Sequence, residues 1–223
     1  MDLGLNKSLA KEYFETISNL AQELGLSALG VTNAEPFVET RTEIERRKSE
    51  DLHGGMQFTF RNPERSTTPK MIMKDAKSLI VGALRTPAPR LEKVSNEALR
   101  IAAYARNDYY SLLREALTGI SEVLKKDGWK TQVVADENSL VDRAAAIRAG
   151  IGWHGKNGNV LIPGQGSWFV LGSIVTNLEL PLSEKVKQDC GVCKRCIDGC
   201  PTGAIIEPGV VDARKCIAWL VQA

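Results

Sequence analysis

Apolar side chains recur at helical spacing from Ser8 to Leu24, where Leu9, Ala10, Tyr13, Phe14, Ile17, Leu20, Ala21 and Leu24 share one face. Ser8 stands where an N-cap belongs and Gly25 where the chain would stop, so an amphipathic helix is predicted. A short strand follows at Ala28–Val31, and Glu35–Asp51 reads as a charged, partly helical excursion. From His53-Gly-Gly-Met to Pro69 turn residues dominate, which predicts a loop. The continuous apolar run Ser78–Leu84 suits a buried strand in a sheet covered on both faces, and a loop with Pro87 and Pro89 comes after it. Between Asn107 and Lys126, Leu112, Leu113, Ala116, Leu117, Ile120, Val123 and Leu124 line one face ahead of Gly128, a second amphipathic helix. Strands at Lys130–Val134, Val160–Ile162 and Ser167–Thr176, the last two joined by the turn Pro163-Gly-Gln-Gly166, flank a short helix at Ser139–Ala149. Alternating strands and helices predict an α/β fold, a sheet with flanking helices. Pro181–Gln188 reads as a linker, placing a boundary near residue 182 between a domain over 1–182 and a smaller cysteine-organised segment over 183–223.

Composition narrows this picture only a little. With 43% apolar and 25% charged residues the chain is globular, not disordered or fibrous. Its net charge of +2 provides no bulk attraction for nucleic acid, so any such partner would need a local patch. The longest apolar runs, Ser78–Leu84 and Trp168–Val175, are too short to span a membrane. Asp2, Lys7, Lys11 and Glu12 without an apolar stretch do not form a secretory signal, and a cytoplasmic protein is expected. All 5 cysteines fall between Cys190 and Cys216; a disulfide framework would spread and pair them.

The spacing of those cysteines is the strongest chemical signal. Cys190-x-x-Cys193-x-x-Cys196-x-x-x-Cys200-Pro201 is the bacterial ferredoxin run, in which three thiolates wrap one cubane and the fourth serves another cluster. A zinc site is the alternative, but zinc usually pairs two Cys-x-x-Cys units across a longer loop. The run therefore predicts a 4Fe-4S cluster on Cys190, Cys193 and Cys196. Cys200 and Cys216 are left for a second cluster, and no second Cys-x-x-Cys unit follows in the remaining residues.

Segments distributed over most of the chain resemble the epoxyqueuosine reductase family, cobalamin-dependent iron-sulfur enzymes that complete queuosine synthesis in tRNA. They include Gly30-Val31, His53-Gly-Gly-Met56 with Arg61-Asn-Pro-Glu-Arg65, Tyr104-Ala-Arg-Asn-Asp-Tyr109, Arg148-Ala-Gly-Ile-Gly-Trp-His-Gly-Lys-Asn157, Gly166-Ser-Trp-Phe169, Cys200-Pro-Thr-Gly-Ala-Ile205 and Val211-Asp-Ala-Arg-Lys-Cys216. The resemblance implies a cobalamin-binding α/β domain followed by a ferredoxin-like segment whose carboxyl-terminal part is absent. It makes Asp136 the proton donor beside the cobalt, ahead of Asp142-Arg143, with Ser139 at the family's proline and Asp142 at its glutamate. Tyr110 stands where the family often has histidine. Arg143, Gly152, Trp153, Lys156 and Asn157 become candidate cofactor contacts, and Cys190, Cys193, Cys196, Cys200 and Cys216 the cluster ligands.

Read from position alone, Asp136 is an ordinary turn residue, and Gly152, Gly155 and Gly158 belong to a loop needing positive φ at each of them. With the resemblance, Asp136 becomes a carboxylic acid kept protonated by burial against the corrin, and the loop Gly150–Gly158 a close approach to it. The implied activity is reduction of epoxyqueuosine in tRNA, with electrons from an unidentified donor; reductive dehalogenation is a related variant. The reading from another class is a ferredoxin-like electron carrier or a non-catalytic cluster protein.

Overall fold

The computed structural model describes residues 7–87 and 102–222. Pro89 of the expected proline loop, and Asp2 in the amino-terminal stretch, lie outside them. The chain runs α1 (Lys7–Glu23), β1 (Ala28–Asn33), α2 (Val38–Ser49), α3 (Phe58–Arg61), α4 (Pro63–Ser66), β2 (Ser78–Arg85), α5 (Tyr109–Lys126), β3 (Thr131–Val134) and α6 (Asp142–Arg148). It continues through β4 (Trp153–His154), β5 (Val160–Leu161), β6 (Phe169–Thr176), α7 (Arg195–Asp198), β7 (Ile205–Glu207), β8 (Val210–Val211) and α8 (Ile217–Leu220).

The main sheet has the order β1-β2-β6-β3, every neighbouring pair antiparallel. β2 is central and buried from Ser78 to Ala83, as its apolar run predicts. Its side chains alternate between two cores. Ile80 joins Val170 and Ile174 of β6 under α1 and α5, while Leu79, Val81 and Ala83 join Val175 under α6. Both faces are thus covered by helices, which explains the lack of a polar alternation in β2.

A cross-strand pair of glycines, Gly82 and Gly172, sets how closely α5 lies on the sheet. A Cβ on Gly172 would stand 2.8 Å from Leu117 and 2.9 Å from Ala135, so the absent side chains are the space that Leu117 fills. α5 itself starts where Asp108 caps it, accepting from the Ser111 N–H at 2.9 Å, and closes at Gly128.

Three local expectations change. The stretch 53–69 holds α3 and α4, the latter started by Asn62, whose side chain accepts from the Arg65 N–H, with Pro63 at the first helical position. β5 pairs with β4, not with β6; the Pro163–Gly166 turn is closed by Ile162 and Gly166 bonding to each other at 2.9 and 3.1 Å. Within 181–188 no helix or strand forms, but Ser183 bonds in both directions with Val31 on the open edge of β1, at 2.9 and 3.0 Å. Among the described residues no helix is long and apolar enough to cross a membrane.

Candidate functional site

The connection from β3 to α6 carries Asp136, whose φ of 54° is left-handed. Aspartate tolerates that region better than most residues because its short polar side chain bonds locally, and a non-glycine held there often marks a working site. The loop is tied down on both sides. The Arg114 guanidinium donates to the Ala135 carbonyl and stands 3.9 Å from the Glu137 carboxylate, and the Val141 N–H donates to the Ser66 carbonyl at 3.0 Å. Between these anchors Asp136, Glu137 and Asn138 are exposed.

In the protein alone the carboxyl packed round by protein is that of Asp142, on the first turn of α6. Close packing by protein pushes the Asp142 carboxyl up to about 8; the Asp136 N–H and Arg143 oppose the rise, and the Asp136 and Glu137 charges add to it. Tyr110, at the start of α5, is pushed up to about 12 by burial and then by the Asp136 and Asp142 charges, so its phenol faces the same acids. Tyr109 points the other way, into the core. Arg143 donates to the Gly158 carbonyl at 2.6 Å, and burial followed by the Arg47 charge pulls its pKa down. Asp142 is only partly buried and Arg143 is exposed, so both remain within reach of solvent although protein packs around them.

A cavity of about 310 Å³ opens beside the same loop, lined by Phe58, Arg61, Asn62, Arg65 and Asn138. Neither arginine has an ion-pair partner among the described residues, and Phe58 leaves its ring exposed. Asn138 links this cavity to Asp136, two residues away in the chain.

The other expected contacts fall on the β4–β5 hairpin and the cysteine segment. Of the three loop glycines expected at positive φ, Gly158 alone is left-handed, at 77°; Gly152 and Gly155 are needed for close packing, since a Cβ would stand 2.2 Å from the Leu161 carbonyl oxygen at the first and 2.6 Å from Asn157 Oδ1 at the second. Asn157 turns inward and accepts from the Asn159 N–H at 3.1 Å. Trp153 donates its indole N–H to Cys190 Sγ at 3.4 Å, and Lys156 Nζ donates to the Gly191 and Cys193 carbonyls at 2.6 and 3.0 Å. The five cysteines are free thiols. Cys200 Sγ accepts from the Ala204 N–H at 3.2 Å, and main-chain N–H groups, Ile205 first, draw its thiol below the usual range, as a thiolate ligand requires. Among the described residues no three His, Cys, Asp or Glu groups come together as ligands of a single ion; a cubane takes its thiolates at separate corners. The segment also docks on the rest of the chain, with the Ala213 N–H donating to Leu52 O at 2.8 Å and Trp219 Nε1 to Gly54 O at 3.0 Å.

The sequence marks Asp142 only as a stand-in for a family glutamate, and it marks Arg61-Asn-Pro-Glu-Arg65 only as a segment of the resemblance, without the cavity that these residues line. The Asn62-Pro63 start signal is the available clue to the latter, because it turns an apparent loop into a short helix that fixes Arg61 and Arg65.

Comparison with known proteins agrees with these features. The model of a 4Fe-4S double cluster binding domain matches residues 189–223. The epoxyqueuosine reductase of Bacillus anthracis is 34% identical over 209 residues, covering 91% of this chain and 54% of the relative. That of Atelocyanobacterium thalassa is 32% identical over 209 residues, covering 92% of this chain and 68% of the relative. A crystal structure of epoxyqueuosine reductase with an epoxyqueuosine-modified tRNA-Tyr stem loop superposes with a TM-score of 0.86 at 31% identity, over 96% of this chain and 58% of that one. A reductive dehalogenase, described as suggesting a mechanism for B12-dependent dehalogenation, shares the fold alone, with a TM-score of 0.51 at 17% identity over 83% of this chain and 23% of that one. The chain spans about half to two thirds of the length of the curated relatives it matches. By sequence and by fold, this chain belongs to the epoxyqueuosine reductase family.

Proposed function

We propose that the protein is a cobalamin- and 4Fe-4S-dependent reductase acting on epoxyqueuosine in tRNA, with residues 1–182 forming the cobalamin-binding unit and 183–223 the cluster-binding unit. The observation that carries this reading is Asp136, held left-handed and exposed beside Asp142, whose carboxyl its N–H meets. The residues present suit both groups. Cys190, Cys193 and Cys196 lie on one short stretch that runs into α7, with Cys200 and Cys216 following, and Asp136, Asp142 and Arg143 give a polar face within reach of solvent. Arg143 and the hairpin of Gly152, Trp153, Lys156 and Asn157 are the proposed wall of the cofactor site. Cobalamin, when bound, would supply low-potential electrons, and the protein would orient the substrate and supply its protons.

Removal of an epoxide oxygen as water takes up two electrons and two protons. Asp136 is the proposed donor of the proton that meets the oxygen as its C–O bond opens. Asp142, held up to about 8, stays neutral at pH 7. Two arginines with no ion-pair partner among the described residues and an exposed ring in the neighbouring cavity suit a phosphodiester with an adjoining base, which supports tRNA as the partner. The electron donor is unassigned, and the proposed location is the cytoplasm.

Single turnover of an epoxyqueuosine-modified stem loop, with nucleosides separated by mass spectrometry, tests the reading. Asp136→Asn keeps the shape and the left-handed tolerance and deletes the transferable proton, so the rate should fall on the order of 10²- to 10⁴-fold with cofactor binding retained. Equal rates would remove Asp136 from the chemistry.

A further inference from the structure

Trp153 and Lys156 sit at the two ends of one short turn of chain, yet both reach the same stretch of the cysteine segment. The indole N–H of Trp153 is 3.4 Å from Cys190 Sγ, and Lys156 Nζ is 2.6 Å from the Gly191 carbonyl and 3.0 Å from that of Cys193. The loop does not need them to close. Its own bonds do that, with the Cys193 N–H donating to Cys190 O at 3.0 Å and the Gly191 N–H to Asp189 Oδ1 at 2.6 Å. An indole has a single N–H and a neutral thiol is a weak acceptor, so directing that donor at sulfur is best rewarded when the sulfur carries thiolate charge.

We infer that the β4–β5 hairpin is an electrostatic clamp on the first cluster, in which Trp153 hydrogen-bonds the Cys190 ligand and Lys156 holds the Cys190–Cys193 loop, together favouring the reduced cluster. The inference rests on reading these cysteines as cluster ligands. Reduction adds one electron and one negative charge to the cluster and its thiolates, and no atom is transferred. A donor and a cation beside that charge stabilise the reduced state more than the oxidised one, which raises the potential. Hydrogen bonds to the sulfurs and net charge are among the factors that set cluster potentials. Trp153 and Lys156 are positioning residues in this role, since neither exchanges an electron or a proton.

The test uses the anaerobically reconstituted protein, reduced stepwise with titanium(III) citrate and followed by electron paramagnetic resonance. Trp153→Phe keeps the ring and removes the N–H; Lys156→Met keeps the stem and removes the charge. Each should disfavour the reduced cluster about tenfold, a fall of about 59 mV for one electron, at unchanged iron content. Pulsed resonance on wild-type protein carrying ¹⁵N-indole tryptophan gives a second readout that a purely structural role would not produce. A ¹⁵N coupling to the reduced cluster is expected and should vanish in Trp153→Phe; it decides the matter even if that variant assembles poorly. Unchanged midpoints with no ¹⁵N coupling would overturn the clamp and leave the cluster assignment standing. Failure of the wild type to take up iron would overturn both.

Discussion

Asp142→Asn should make the protein more stable, and increasingly so as pH rises. The wild-type carboxyl ionises at about 8 when folded against an ordinary 3.8, so below about pH 4 it is neutral in both states and costs nothing. Above that, the unfolded chain ionises and the folded one does not, and wild-type stability falls until the folded group also ionises near pH 8. At about 1.36 kcal/mol per pH unit the ceiling is about 6 kcal/mol. Solvent still reaches this carboxyl, which screens the effect, so about 3 kcal/mol at pH 8 and about half that at pH 6 is the working figure. Asparagine keeps an acceptor for the Asp136 N–H without the charge. Anaerobic urea unfolding followed by tryptophan fluorescence should place the variant's midpoint about 1 M above wild type at pH 8 and level with it at pH 4. A constant offset across that range, or a more stable wild type at pH 8, would show that burial does not hold Asp142 neutral.

Gly172→Val should destabilise by about 1–3 kcal/mol, because its side chain would meet Leu117, Ala135 and Leu113 beneath α5; a urea midpoint equal to wild type would contradict that packing. Arg148 lies 3.5 Å over the Phe37 ring and donates to the Asn33, Glu35 and Pro36 carbonyls, so Arg148→Met should cost about 2–4 kcal/mol and loosen the β1–α2 connection, measurable by amide exchange. Tyr110→Phe should keep at least about a tenth of the single-turnover rate, since a phenol pushed up to about 12 is a poor proton donor beside Asp136; a loss as deep as that of Asp136→Asn would make Tyr110 the donor.

The regular elements are legible because their patterns are strong: α1 and α5 each carry an apolar stripe at helical spacing, and β2 an unbroken apolar run because both of its faces are buried. α3 and α4 read as loop because four-residue helices carry no periodicity, leaving only the Asn62-Pro63 cap as a signal. The pairing of β5 with β4 was hidden for the same reason, two-residue strands being too short to show alternation. At the site, cysteine spacing states its chemistry locally, whereas Asp142 and the Trp153–Cys190 bond depend on packing between segments far apart in the chain. The left-handed backbone at Asp136 likewise has no sequence mark, since aspartate serves equally well in ordinary turns.

Titration of cob(II)alamin with the protein, followed by electron paramagnetic resonance, tests the central claim most directly. If the face carrying Asp136, Asp142 and Arg143 is a corrinoid site, the cobalt spectrum should change with a saturable, stoichiometric end point, and Arg143→Ala should weaken that binding. A spectrum identical to free cob(II)alamin at all protein concentrations would contradict the account and favour a ferredoxin-like electron carrier built on the same fold.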